Sequence, residues 1–233
     1  MTRPHLVTLA VLSFALSACA TGNPIPTGQS PPVIYSPIGD TLACVGRAAS
    51  LTDIAPGIAV TNEHADDVAD GLYGEAIHYD IALVHTKKNL SPQLAEPYVG
   101  EHVVQYGNDT CGHPRMATGE VISIVDTGHC YGPVGRVVTA SERLCAGYGM
   151  GLARGFFIKS DAGDGFSGGP VMDGDRLVGI TEGVMTNGAW RGSVIAYRSS
   201  DVLHIAQDPD AWKPVTPYSH WRRYAVLAAL ILF

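Results

Sequence analysis

Apolar residues along this chain gather in short runs. They occur at 42–48, 57–61, 80–84, 102–106, 120–125, 136–139, 155–159, 177–181 and 193–197, with turn-forming residues between them. Each run has the length of a strand, and no helical repeat intervenes. Evenly spaced strands of this kind predict an all-β chain built as a sandwich or a barrel. The 27 glycines and 15 prolines supply its many turns.

The 233 residues suit one large domain or two small ones, and 46% hydrophobic content with 16% charge marks a globular chain. A net charge of -7 excludes a nucleic-acid role, because phosphate neutralisation needs clustered Lys and Arg, which are lacking.

Arg3, an apolar run at 6–16 and then Leu16-Ser17-Ala18-Cys19 form a targeting segment. The tetrapeptide resembles the lipobox of bacterial lipoproteins. That resemblance implies a signal peptide at 1–18, a diacylglyceryl group on Cys19 and, with Ala20 following, outer-membrane sorting towards the periplasm. Ordinary cleavage after Ala20 is the alternative. Residues 19–34 then read as a flexible Pro/Gly/Ser/Thr tether. In an exported chain Cys44, Cys111, Cys130 and Cys145 suggest two disulfides, with Cys130–Cys145 closing a loop of moderate length. The alternative, metal binding, lacks a C-x-x-C spacing, and His113 and His129 flank loop glycines, so no metal is expected.

The most informative run is Gly165-Phe166-Ser167-Gly168-Gly169-Pro170. A serine between glycines, with His64 and Asp80 upstream, offers a nucleophile, a base and free backbone N–H groups for acyl transfer. This run resembles the chymotrypsin-type serine proteases, in their bacterial, Deg-type branch. Ala59-Val60-Thr61-Asn62-Glu63-His64-Ala65 is similar to the family's V-T-A-A-H-C, and Asp80-Ile81-Ala82-Leu83-Val84 to its D-I-A-L. The order His, Asp, Ser is the chymotrypsin order. The resemblance covers roughly 35–205 and implies two six-stranded antiparallel β-barrels with the active site in the cleft between them. Residues 35–100 would form the first and 101–210 the second.

The resemblance implies a serine endopeptidase acting on polypeptides without a cofactor. Ser167 would be the nucleophile, His64 the general base and Asp80 its orienting carboxylate, with the N–H groups of Gly165 and Ser167 as the oxyanion hole. His78 and His85 compete with His64, but only His64 follows an apolar strand. Asp66, Asp67 and Asp70 compete with Asp80 from a polar stretch, whereas Asp80 opens an apolar strand and needs a partner if buried.

Two departures stand out. His64 and Asp80 are only sixteen residues apart, which requires trimmed strands and loops. Phe166 replaces the acidic residue that pairs with a freed N-terminus in digestive members, so no activation cleavage is expected.

For substrate binding the resemblance points to Asp161, Thr181 and Gly183. Asp161 stands six residues before the serine, where trypsin-like members bind Arg or Lys. Ser160-Asp161-Ala162 equally resembles a structural segment of Deg-type members. Glu182 replaces a common aromatic residue and reads either as negative charge in the cleft or as a solvated strand-end carboxylate.

Two other classes stay open. One is a lipid-anchored binding protein on a degenerate protease scaffold, supported by the short His–Asp gap. The other is an α/β-hydrolase esterase, since 165–169 also matches G-x-S-x-G, with His204 or His220 as late histidine. Pro170 and the strand and hairpin signals after it argue against an elbow leading into a helix. At the C-terminus, 212–217 with two prolines reads as a linker, and the apolar tail 224–233 as a docked helix or membrane-surface segment too short to span a bilayer.

Overall fold

A computed structural model describes residues 22–39, 48–76, 79–109, 111–125, 129–131, 137–139, 155–184 and 191–215. Six strands come first: β1 (Asn23–Pro24), β2 (Tyr35–Gly39), β3 (Ala48–Ala55), β4 (Ile58–Thr61), β5 (Leu72–Ala76) and β6 (Ala82–His85). The second half adds β7 (His102–Asn108), β8 (Pro114–Val125), β9 (His129–Tyr131), β10 (Val137–Thr139), β11 (Gly155–Ser160), β12 (Pro170–Asp173), β13 (Arg176–Val184) and β14 (Val194–Arg198). A helix, Ser199–Gln207, and β15 (Trp212–Pro214) follow.

Strands β7, β8, β11, β14, β13 and β12 pair in that order, and β12 returns to β7, closing a six-stranded antiparallel barrel. Closure leaves no free edge. The other unit is a six-stranded antiparallel sheet in the order β2-β3-β4-β6-β5-β15. The all-β architecture of two six-stranded units is therefore present. Side-chain alternation drives it: on β4, Ile58 and Val60 join one apolar cluster while Ala59 joins another on the opposite face. The first of these clusters joins the two units, packing Val60, Ile81 and Leu83 with Leu177, Ile180, Tyr197 and Val202. A separate cluster including Phe156, Ile158, Val178 and Phe166 belongs to the closed barrel.

The predicted strands at 57–61, 80–84, 102–106, 120–125, 155–159, 177–181 and 193–197 all have counterparts, shifted by a residue or two or extended. The run at 42–48 lies almost wholly outside the described residues, as does Arg136. Strands β2, β5 and β12 have no counterpart in the apolar runs, because Pro, Gly and Glu interrupt them.

Two corrections concern the chain ends. The first three residues of the expected linker at 212–217 form strand β15, paired to β5 through Trp212↔Ala76, Lys213↔Glu75 and Pro214↔Gly74. Proline is tolerated because β15 is an edge and Pro214 its last residue. Gly74 makes room for Trp212: a Cβ there would lie 2.6 Å from the indole. The first unit thus takes its sixth strand from beyond the second, across the boundary placed near Gly100. The tether, too, is docked where it is described. β1 pairs with β8, the Gly22 N–H donates to the Asp161 carbonyl at 3.2 Å, and Lys88 Nζ donates to the Val33 carbonyl at 2.9 Å. Residues 1–21 with Cys19, and 216–233 with the apolar tail and His220, lie outside the described residues. No helix among the described residues is long and apolar enough to cross a membrane.

Candidate active site

Strands β4 and β6 are neighbours, with Thr61 opposite Ala82. His64 stands on a 3-10 turn, Glu63–Val68, just after β4, and Asp80 just before β6. Strand pairing therefore brings them together although only one strand, β5, separates them in sequence. That is how a sixteen-residue gap suffices. The Asn62 amide donates to the Asp80 carbonyl at 2.8 Å and clips the two segments. Asp80 takes two bonds from His64: the backbone N–H reaches Oδ1 at 2.9 Å, and Nδ1 lies 2.5 Å from Oδ2. On the other side of the ring, Nε2 is 3.0 Å from Ser167 Oγ. With Nδ1 protonated toward Asp80, Nε2 is the acceptor for the serine proton. The imidazole is half-exposed while Asp80 is mostly covered, so the ring is open to solvent and its carboxylate partner is not.

Ser167 lies in a turn whose backbone groups are nearly all spoken for. The N–H groups of Phe166, Gly168 and Gly169 bond to the carbonyls of Gly163, Thr181 and Phe166 at 3.0, 2.8 and 2.8 Å. Those of Gly165 and Ser167 have no backbone acceptor among the described residues. Gly165 adopts φ +86°, and a Cβ there would lie 1.8 Å from the Asn108 carbonyl oxygen. Only glycine fits.

Searches of protein-family models and of curated proteins find no match. Solved structures do match. The active form of the Rv3671c protease from M. tuberculosis aligns at TM-score 0.54 and 16% identity, over 82% of this chain and 96% of that one. The MamO protease domain from Magnetospirillum magneticum aligns at TM-score 0.53 and 17% identity, over 76% and 97%. The HtrA-type protease AlgW aligns at TM-score 0.52 and 16% identity, over 75% and 59%.

The fold is that of HtrA-type, trypsin-like serine proteases.

Within this fold the expected substrate-binding residues are placed very differently. Asp161 is exposed, and its carboxylate accepts from the Asn23 amide at 3.2 Å. Thr181 is buried, and its hydroxyl accepts from Gln105 Nε2 at 3.1 Å, so its side chain is engaged inside the barrel. The same glutamine accepts from Ser160 Oγ at 2.6 Å, which gives Ser160 a structural place beside Asp161. Gly183 has open space where a side chain would stand. Phe166 is fully buried in the barrel core, and Gly107 makes room for it, since a Cβ there would sit 2.5 Å from the ring.

Glu182 corrects both expectations made for it. It is neither solvated nor in an open cleft but buried, and burial first, then the charge of Asp80, push its carboxyl up to about 8.

Sequence reasoning missed Ser50, Thr52 and Asn62. The Ser50 hydroxyl and N–H and the Thr52 hydroxyl donate to the carbonyls of Gly165, Ser167 and Gly168, each at 2.8 Å. For Ser50 and Thr52 the sequence signal is polar residues inside strand β3, and for Asn62 a polar residue directly after β4. Asp109, Cys111 and His113 bring donor atoms within 4.8 Å of one another. Burial raises the Asp109 carboxyl, but Arg115 and the N–H groups of His113 and Cys111 outweigh it and hold it at about 2. That carboxylate is already bonded to the guanidinium at 2.7 Å, and Cys111 is disulfide-bonded, so neither is free for a metal. Cys44 and Cys145, and the side chain of Cys130, lie outside the described residues.

Proposed function

We propose that this chain is a serine endopeptidase that cleaves polypeptides through Ser167, His64 and Asp80. The observation that carries the reading is the continuous chain from Ser167 Oγ to His64 Nε2 at 3.0 Å and from Nδ1 to Asp80 at 2.5 Å, beside two N–H groups with no backbone acceptor among the described residues.

Ser167 Oγ attacks the scissile carbonyl as His64 Nε2 takes its proton, and Asp80 stabilises the imidazolium. The carbonyl oxygen becomes an oxyanion, which the N–H groups of Gly165 and Ser167 stabilise; each is worth about 3 kcal/mol. His64 then protonates the leaving amine, leaving an acyl-serine. Water repeats the sequence: His64 takes its proton, the acyl bond to Ser167 breaks and the serine is restored. No cofactor enters. The buried Phe166 core position supports activity without processing of an N-terminus. The lipobox-like segment supports export and an anchor through Cys19.

Reaction of the purified protein with a fluorophosphonate probe, with the adduct located by peptide mass spectrometry, tests the assignment. An adduct on Ser167 that is lost in His64→Ala and Asp80→Ala is the expected result. A folded protein that takes no label overturns it in favour of a binding protein on a degenerate scaffold.

A further inference from the structure

Strand β13 carries one residue more than its partner at one point: Thr181 faces Ala196 and Gly183 faces Ile195, so Glu182 sits in a bulge. A bulge re-aims a side chain. Glu182 is accordingly 8% exposed although it adjoins the open position at Gly183. Its carboxyl meets the Tyr197 hydroxyl, which in turn accepts the Asp80 N–H at 3.3 Å. Tyr197 is buried and stands edge-on to Tyr79 at 5.5 Å. The Glu182 carbonyl lies 3.2 Å from Ser167 Oγ, so one residue touches the nucleophile by its backbone and backs the aspartate by its side chain.

We propose that Glu182 is a positioning residue for the catalytic group, a neutral carboxyl that holds Asp80 through Tyr197 and disables it on ionising. This rests on the reading of Ser167, His64 and Asp80 as the triad. The groups that face Glu182 are Asp80 from the segment before β6, Tyr197 from β14 and His64 from the turn after β4. Two carboxyls in one covered space do not both ionise readily, and the more buried one keeps its proton. Asp80 accepts from two His64 donors; Glu182 is the protonated partner up to about pH 8. Above that pH a second negative charge repels Asp80 and loosens its hold on His64 Nδ1.

The test is the rate of fluorophosphonate modification of Ser167 as a function of pH, which needs no peptide substrate. Wild-type protein is expected to lose rate several-fold above about pH 8. Glu182→Gln should react more slowly at neutral pH yet show no fall through that range. Tyr197→Phe should move the fall upward, because the hydrogen bond it removes favours the ionised carboxylate. A Glu182→Gln profile that keeps the wild-type fall, or a wild-type profile that is flat, overturns the proposal and leaves the triad standing. Should Glu182→Gln fail to fold, the Tyr197→Phe shift decides, and an unmoved limb overturns the proposal. Wild-type protein that never labels overturns the triad reading and this one with it.

Discussion

The Ser50 hydroxyl donates to the Gly165 carbonyl at 2.8 Å, joining β3 of one unit to the Ser167-bearing turn of the other. The Ser50 N–H also holds the Ser167 carbonyl, and the Thr52 hydroxyl that of Gly168. The serine-bearing turn is thus registered directly against the sheet that carries His64. Ser50→Ala is expected to cost about 1 kcal/mol of stability and to slow labelling of Ser167 about tenfold, as the turn shifts against the imidazole. Urea unfolding alongside labelling rates checks both.

Gly165→Ala places a methyl 1.8 Å from the Asn108 carbonyl at φ +86°, so the turn must rearrange. The proposed oxyanion donor moves with it. Labelling of Ser167 should fall roughly 10²- to 10³-fold in a protein that still folds. A wild-type rate would remove Gly165 from the oxyanion hole.

Asp53 is buried, and Lys88 Nζ lies 2.9 Å from its carboxylate while donating to the Val33 carbonyl and the Ser36 hydroxyl. Lys88→Met strands a buried charge and is expected to cost about 3–5 kcal/mol. Asp53→Asn with Lys88→Met should recover much of that loss. Denaturant unfolding of the single and double variants measures it.

Two carboxyls give opposite pH dependences of stability. Glu182 is raised from 4.5 to about 8 in the folded chain, so the folded form keeps a proton that the unfolded form releases. Its contribution therefore declines as pH rises from 4.5 to 8, with a slope of at most about 1.4 kcal/mol per pH unit. Glu182→Gln should gain on wild type across that range. Asp109 is lowered from 3.8 to about 2, so its contribution is present above 3.8 and is lost as pH falls through 2. Asp109→Asn should flatten the acid limb. Unfolding midpoints across pH check both signs.

Trp212 lies over Gly74 and edge-on to Tyr73 at 5.5 Å, pinning β15 to the first unit. Trp212→Ala is expected to cost about 3 kcal/mol. Truncation after Ala211, which removes β15, should lower the unfolding transition.

Much of the strand pattern was legible, because strands of four to seven apolar residues bounded by Gly and Pro announce themselves locally. β2, β5 and β12 were not, since Tyr35–Gly39, Leu72–Ala76 and Pro170–Asp173 contain Pro, Gly or Glu that only pairing with neighbours makes tolerable. β15 failed for a related reason: the prolines at 214 and 217 read as a break, and only an edge position excuses Pro214. Thr181 pointed to the cleft by resemblance, yet a buried glutamine from another strand claims its hydroxyl.

By itself the sequence determined the all-β class, the order His64, Asp80, Ser167 and the glycine turn around the serine. These depend on side-chain period, turn chemistry and the residue types that acyl transfer needs, all of which act within a few positions. Tertiary structure alone decided that Ser50 grips Gly165 across 115 residues, that Trp212 returns to the first sheet and that Glu182 turns inward behind Asp80. The reason is that a long-range hydrogen bond or a desolvated carboxyl depends on which distant groups the fold brings alongside, and no local pattern encodes that.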